Sequence, residues 1–301
     1  MGNRMTKTRH EFGGHWTEDK LDRIQKYLQA YITIFTRNPK AQKLETIYVD
    51  AFAGTGHRAK RRSDKDSELL FPEWQEKETQ DFLKGSAKIA LETIPSFKKF
   101  LFIEQDPDYA AELQKLKGDF PQRAADIEII NQNSNSYLRQ WCEKTDWRFK
   151  RAVVLLDPYG MQVEWSVIGA LAKTKAIDLW ILFPLGVAVN RLLTRHEAPS
   201  GAWAEALTRI FGTDAWREEF YCEETQQSLF VGMESTKKDA DYKKIGRFFL
   251  ARLQTVFTKV ASNPLTLMNS RNVPLYLLCF AAGNPKGAPT AVKIAQDILG
   301  R

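Results

Sequence analysis

The stretch Ile-Tyr-Val-Asp-Ala-Phe-Ala-Gly-Thr-Gly, residues 47–56, decides the fold class of this chain. An apolar run ends in Asp50, and a loop with Gly54 and Gly56 follows immediately. Parallel α/β sheets present a carboxylate and backbone N–H groups in this way at the carboxyl end of the first strand, where ligands bind. Glycines permit positive φ angles and a close approach of the ligand to the backbone. The stretch therefore predicts a ligand-binding α/β fold; an ordinary tight turn after the strand is the alternative.

The motifs that this loop lacks narrow down its ligand. A dinucleotide fingerprint needs a third glycine where Ala59 stands and a helix directly after it, but a basic loop follows. The lysine of a phosphate-binding P-loop is also missing. A carboxylate four residues before Gly54 fits S-adenosylmethionine, because it lies near the cationic end of that ligand and no pyrophosphate has to be neutralised. We therefore predict that Asp50, Phe52, Gly54 and Gly56 bind S-adenosylmethionine.

The composition allows one large α/β domain with insertions or two modest ones. With 43% apolar residues among 301, the chain can bury a full core, and its net charge of +7 permits an acidic partner such as nucleic acid. The cysteines at 142, 222 and 279 are far apart, which argues against a disulfide framework or a metal site and favours the cytoplasm. Neither a signal peptide nor a membrane-spanning run is visible, so no membrane partner is expected.

Strands and helices alternate regularly from residue 46 to residue 183. We predict strands at 46–52, 99–104, 127–131, 152–156 and 177–183, several of them continuous apolar runs typical of a parallel sheet covered on both faces. After them we predict a helical stretch without a clear strand (186–235), a long helix (242–260), an antiparallel hairpin (265–268 and 275–281) and a closing helix (290–299).

This order is that of a class I methyltransferase, or Rossmann-like, sheet: mostly parallel, with an antiparallel C-terminal edge hairpin and an inserted helical segment. The predicted domains are an N-terminal helical extension (1–44), a methyltransferase-like domain (45–185 and 241–301) and a helical insertion (186–240).

Polar residues end the next three predicted strands. Glu104 and Gln105 follow the second strand, where a carboxylate can accept hydrogen bonds from a ribose diol. Asn133 follows the third, where an amide can reach an adenine amino group. The run Asp157-Pro158-Tyr159-Gly160 follows the fourth. There a carboxylate and a carbonyl can orient an amine nucleophile, and an aromatic ring can stack on a planar base.

Structural alternatives exist for each of these positions. Glu104 could cap the next helix, and Asp157 with Pro158 could be a plain helix-entry turn. Tyr159 could serve packing alone. The basic run 58–65 is either a phosphate-contacting lip of the site or a solvated loop, and His57 fits a loop residue better than a base.

The motifs beginning at Asp50, Glu104 and Asp157 resemble motifs I, II and IV of class I S-adenosylmethionine-dependent methyltransferases. Asp-Pro-Tyr-Gly is similar to the Asp-Pro-Phe-Gly of tRNA guanine-N2 dimethyltransferases and, more loosely, to the Asp-Pro-Pro-Tyr of amino-methylating enzymes. Two departures are Asn133, where many such enzymes have Asp, and Tyr159, which replaces the second proline of the amino-methylating pattern.

A second resemblance covers nearly the whole chain and is to the three-Cys-motif partner (TcmP) family. It rests on Trp16-Thr-Glu-Asp-Lys-Leu21 with Tyr27, Leu28 and Tyr31, on Gly85-Ser86-Ala87, and on the run from Phe280 to Gly287. The resemblance implies a methyltransferase-like fold. The family is named for occurring beside a protein with a three-cysteine motif, so it also implies such a protein as a partner. The resulting hypotheses are a methyltransferase acting on a nucleic-acid base, a partner subunit without transfer activity, and a nucleic-acid-binding protein without methyl transfer.

Overall fold

The computed structural model describes residues 15–53, 85–158, 160–225 and 234–301. Gly54, Gly56, His57, the basic run 58–65 and Tyr159 lie outside the described residues, so their predicted roles stay predictions.

Alternating strands and helices build the described chain. The strands are β1 (Glu45–Asp50), β2 (Lys99–Ile103), β3 (Ile127–Ile130), β4 (Lys150–Leu156), β5 (Ile177–Phe183), β6 (Tyr221–Thr225), β7 (Glu234–Lys238), β8 (Lys259–Val260), β9 (Leu265–Met268) and β10 (Pro274–Ala282). The helices are α1 (His15–Arg37), α2 (85–92), α3 (Pro107–Asp119), α4 (Ser134–Lys144), α5 (Trp165–Lys173), α6 (Asn190–Leu192), α7 (Gly201–Phe211), α8 (Trp216–Phe220), α9 (Tyr242–Gln254) and α10 (Ala288–Leu299). A 3₁₀ helix (Pro121–Asp126) precedes β3, and a π-helical turn (Leu185–Val189) precedes α6.

The central sheet has the strand order β3-β2-β1-β4-β5-β10-β8, and β9 also pairs with β10. Strands β1 to β5 are parallel, whereas β10 runs antiparallel to β5, β8 and β9. The order reverses between β1 and β4, which opens a crevice at their carboxyl ends where α/β proteins bind ligands. The predicted fold class, a mostly parallel methyltransferase-like sheet with an antiparallel C-terminal edge, is confirmed.

Side chains alternate between the two faces of the sheet, and each face has its own apolar core. Tyr48, Val153 and Leu155 belong to the cluster that packs under α1, α2 and α10. Val49 and Val154 point the other way, into the cluster under α4, α5, α7 and α9. Helix α1 buries Leu28 and Ile32 almost completely in the first cluster, so it covers the sheet directly.

Two expectations about the chain after β5 are wrong. The stretch 186–235 does contain a strand, because β6 pairs antiparallel with β7 in a small separate sheet. The sequence of β6 is Tyr-Cys-Glu-Glu-Thr, which lacks the apolar alternation by which strands are recognised. The Lys238 ammonium group holds the end of β7 by donating to the Asn190 side chain at 2.7 Å.

The long helix predicted over 242–260 ends at Gln254. Val260 instead pairs with Ala281 in the sheet, and the Ala261 N–H donates to the Phe280 carbonyl at 3.0 Å. The intervening residues Thr255, Val256 and Thr258 are β-branched and weak helix formers, so the helix ends before them and strand pairing begins at Lys259. Over the described ranges, no helix is long and apolar enough to cross a membrane.

Candidate cofactor and acceptor site

The neighbouring strands β1 and β4 bring Asp50 and Asp157 to the same edge and the same face of the sheet. Asp50 is opposite Leu155 in the register, and Asp157, directly after β4, is two residues beyond Leu155. Asp50 is two residues from Tyr48, and Asp157 is two residues from Leu155. Residues two apart along a strand face the same side of the sheet, so both carboxylates point toward α1 and α2. The structure therefore places these two acidic residues at one edge and on one face of the sheet.

The Asp50 carboxyl group is buried, with 1% of the residue exposed. The Ser86 hydroxyl, at the start of α2, donates to its Oδ2 at 2.7 Å. Burial raises the pKa of Asp50 to about 7; the nearby Asp157 acts in the same direction, whereas Ser86, the Phe52 backbone and Lys20 oppose it. A buried carboxyl group with a raised pKa favours a cationic ligand, because a positive charge in addition to that of Lys20 would stabilise its ionised form.

Asp157 is held by a lysine that the sequence analysis did not assign to the site. The Nζ atom of Lys20 lies 2.8 Å from Asp157 Oδ2, and 3% and 9% of the two side chains are exposed. We call Lys20, Asp50, Ser86 and Asp157 the strand-end cluster. Lys20 comes from α1, so the N-terminal helix is part of the site and does more than cover the sheet.

An aromatic ring lies against the Lys20 ammonium group. Nζ lies 5.1 Å from the centre of the Trp16 ring, which stacks on Tyr276 with a centroid separation of 5.5 Å. Burial lowers the pKa of Lys20, while Asp157 and, more weakly, Asp50 act to raise it. The ion pair and the cation–π contact together fix the end of a side chain that is normally flexible.

Glu104 follows β2 and is 2% exposed. Its Oε1 accepts from the Asp106 N–H at 2.7 Å, and its own N–H donates to the Ile130 carbonyl of β3 at 2.9 Å. The capping alternative for Glu104 is wrong, since Asp106 is the residue that caps α3. The carboxylate is thereby placed at the strand end, beside the loop that separates β2 from α3.

Gln105 and Asn133 contact each other through their side chains. The Asn133 side-chain N–H₂ donates to Gln105 Oε1 at 3.1 Å, and both residues are exposed. Asn133 also caps α4, because its Oδ1 accepts from the Ser136 N–H at 3.1 Å. Asn131 ties the two strand ends together by donating to the Glu104 and Gln105 carbonyls, each at 3.0 Å.

The loop after β4 does not enter a helix directly. Pro158 is buried, Gly160 has a φ of +65°, and α5 begins only at Trp165, so the helix-entry alternative for Asp157 and Pro158 is wrong. Phe52 is 6% exposed and packs in the apolar core on the other face of the sheet. Its contact with a cofactor stays a prediction.

The sequence does contain a signal that could have found Lys20. Lys20, Ile24, Tyr27 and Tyr31 recur at helical spacing, so a lysine occupies the first position of a face that is otherwise apolar. A lysine on a buried helix face needs a partner, and carboxylates at the strand ends are the natural ones. In the part of the chain that the structure describes, no group of three or more His, Cys, Asp or Glu residues could hold a metal ion.

Comparison with known proteins yields likenesses to solved structures. No family model matches the chain, and no curated protein matches it. Among solved structures, it is similar to a Legionella pneumophila protein of the family model DUF519, with 15% identity and a TM-score of 0.46 over 95% of this chain and 92% of that one. It is also similar to yhhF of Escherichia coli, described as a candidate methyltransferase, with 12% identity and a TM-score of 0.29 over 73% and 87%.

A Haemophilus influenzae protein described as a candidate methylase has 14% identity and a TM-score of 0.27, with 71% of this chain and 99% of that one covered. The fold assignment rests on the strand order of the central sheet. The resemblance to the TcmP family stays a prediction.

Proposed function

We propose that this protein is an S-adenosylmethionine-dependent methyltransferase that acts on a nitrogen of a nucleic-acid base. The observation that carries the proposal is the pair of buried carboxyl groups, Asp50 and Asp157, at the carboxyl ends of neighbouring parallel strands. Glu104, at the end of β2 on the other side of β1, adds a third buried carboxyl group. Carboxylates and amides can bind S-adenosylmethionine, because it is a cation that also carries a ribose diol and an adenine amino group.

Asp50, Phe52 and the Gly54–Gly56 loop would hold the methionine part of the cofactor, Glu104 its ribose, and Gln105 with Asn133 its adenine. When bound, the cofactor supplies an electrophilic methyl group on a sulfonium. Asp157 and the Pro158 carbonyl would accept hydrogen bonds from the acceptor amine and direct its lone pair, while Tyr159 would stack on the base. The chain thus contributes mainly positioning and electrostatics.

The cofactor part of the proposal can be tested by calorimetry with S-adenosylhomocysteine. We expect micromolar binding to the wild-type protein and about 10- to 100-fold weaker binding to Glu104→Gln, because a charge-assisted hydrogen bond contributes about 1.5–3 kcal/mol. Glu112→Gln on the exposed side of α3 is the matched control and should bind like wild type. Absence of binding to the wild-type protein would refute the cofactor assignment.

The acceptor can be identified by transfer of labelled methyl groups to fractionated DNA, tRNA, rRNA and protein. We expect label in a nucleic-acid fraction, with Asp157→Asn reducing it at least 100-fold while cofactor binding persists. Support for a nucleic-acid acceptor comes from the net charge of +7. Label in the protein fraction alone would contradict the nucleic-acid assignment, whereas salt-dependent nucleic-acid binding without transfer would favour a binding protein.

The alternative is a methyltransferase-fold subunit that docks on a three-Cys-motif protein and transfers no methyl group. One observation favours it: Trp203 on α7 is 40% exposed, although neighbouring aromatic side chains such as Phe211 are buried. Exposed tryptophans are enriched at protein interfaces. Capture of a three-Cys-motif protein that is lost in Trp203→Ala, together with absent methyl transfer, would favour this function.

A further inference from the structure

The acceptor side of the site contains its own cation. Lys20 and Asp157 form an ion pair at 2.8 Å with 3% and 9% of the two side chains exposed, although 137 positions separate them in the chain. Trp16 lies against the same ammonium group, which fixes its position. The charges of Lys20 and Asp157 therefore cancel at the strand end where the methyl acceptor would bind.

This cancellation has a consequence for the kind of acceptor. An isolated buried carboxylate would attract a protonated amine, because a buried charge requires a counter-ion. With Lys20 already in place, a cationic acceptor would lose its hydration and find no net negative charge in return. An uncharged N–H group is still accommodated, since a carboxylate has about four acceptor positions and the Lys20 bond uses one of them.

We propose that Lys20 is a positioning residue that neutralises and orients Asp157, so that the site selects an uncharged nitrogen, as in a nucleobase, over a protonated amine. This inference rests on the proposed function and deepens it by naming the charge state of the acceptor. Asp50 is left to balance the cationic end of the cofactor, because its hydrogen-bond donor Ser86 carries no charge and the Lys20 ammonium group is bonded to Asp157.

Two cofactor analogues test this charge balance without knowledge of the acceptor. S-adenosylhomocysteine is uncharged where the methyl group would be, whereas sinefungin carries an amino group at that place. The ratio of their dissociation constants, measured by calorimetry at pH 8, above the pKa of Asp50, reports how the site treats a cation on the acceptor side. Lys20→Met removes the ammonium group, Lys20→Arg retains a charge, and Lys26→Met changes an exposed lysine of the same helix.

We expect Lys20→Met to increase the preference for sinefungin over S-adenosylhomocysteine at least fivefold, because Asp157 then lacks its counter-ion. Lys20→Arg and Lys26→Met should leave the ratio within twofold of wild type. If Lys20→Met does not fold, Asp157→Asn and the double variant K20M/D157N give the same comparison. The preference for sinefungin over S-adenosylhomocysteine should then be at least fivefold greater in the double variant than in Asp157→Asn.

The outcomes separate this inference from the proposed function. An unchanged ratio in Lys20→Met, with S-adenosylhomocysteine binding retained, would overturn the role of Lys20 and leave the cofactor assignment intact. The same holds for equal ratios in Asp157→Asn and K20M/D157N. If the wild-type protein binds neither analogue, the proposed function fails and this inference fails with it.

Discussion

At the scale of single residues, the Lys20–Asp157 ion pair affects stability as well as the site. Removing one partner of a buried ion pair leaves the other charged and uncompensated, which costs about 3–5 kcal/mol. We therefore expect Asp157→Ala to lower the free energy of unfolding by about that amount in urea denaturation. Asp157→Asn, which keeps the shape and one carbonyl oxygen, is the better variant for measurements of methyl transfer.

Asp22→Ala is the matched control, because Asp22 pairs with Lys26 on the same helix with 44% and 45% of the two side chains exposed. Exposed pairs contribute about 0–1 kcal/mol, so this variant should change stability little. An equal loss in both variants would contradict the importance of the buried pair.

A second buried carboxyl group, Asp178, makes stability depend on pH. It lies at the start of β5, at the end of the sheet opposite the site, and the Tyr27 hydroxyl donates to its Oδ2 at 2.7 Å. Burial raises the pKa of Asp178 to about 7, while Tyr27 and Arg151 oppose the rise. Between the ordinary pKa of an aspartate, about 4, and pH 7, the folded protein thus binds more protons than the unfolded chain.

Stability must therefore fall as the pH rises through this range, by up to about 1.4 kcal/mol per pH unit for each such group. We expect Asp178→Asn to flatten the dependence of the free energy of unfolding between pH 5 and pH 7.5, leaving mainly the contribution of Asp50. Urea denaturation at several pH values measures this slope. Asp297→Asn, on the exposed side of α10, should keep the wild-type slope, and a wild-type slope in Asp178→Asn would refute the assignment.

At the scale of elements, the contact of α7 with α5 depends on one glycine. Gly212 ends α7 with a φ of +67°, and a Cβ atom there would lie 2.0 Å from Cδ1 of Trp165 at the start of α5. The indole of Trp165 in turn packs against Phe249, and the Arg252 guanidinium lies 4.8 Å from the centre of its ring. A side chain at position 212 would displace this whole arrangement.

Gly212→Ala should accordingly destabilise the protein by about 2–5 kcal/mol, the sum of left-handed backbone strain and overpacking. Gly201→Ala separates the two causes, because Gly201 has a φ of +56° and open space around it. It should cost about 1–2 kcal/mol in thermal or urea denaturation. Similar losses in both variants would mean that Trp165 moves aside without cost.

At the scale of the whole molecule, α1 belongs to the same core as the sheet. Its buried residues contact Trp180 and Phe280 through Tyr27, with ring centroids 5.3 and 4.8 Å apart. We predict that α1 unfolds together with the central sheet. Amide hydrogen exchange should then give Leu28 and Tyr31 protection comparable to that of Val153 in β4.

Protection of the buried α1 amides that is lower by several orders of magnitude would show that the helix opens independently. The site would then lose Lys20 in that open state while the sheet stays folded. Ile34, which is 38% exposed near the end of the same helix, offers an internal comparison, because its amide lies in α1 and its side chain is not buried in the core.

The prediction from sequence succeeded where local patterns carry the information. The strands from β1 to β5 were recognisable because each is an apolar run that ends in a polar or turn residue, and their order implies the mostly parallel sheet. The positions of Asp50, Glu104 and Asp157 at strand ends follow from the same runs. The end of α9 differs from the prediction because the pairing of β8 with the more distant β10 decides it, and the β6–β7 pair was missed because β6 lacks apolar alternation.

The sequence by itself therefore determined the class of fold and the edge of the sheet where its acidic residues gather. Only the tertiary structure decided which side of the sheet those residues face and what meets them there. Lys20 reaches Asp157 because α1 packs on the face toward which both carboxyl groups point. The helical period of α1 marks Lys20 as a buried position but does not name its partner, since packing on that face brings together two charges that are 137 positions apart in the chain.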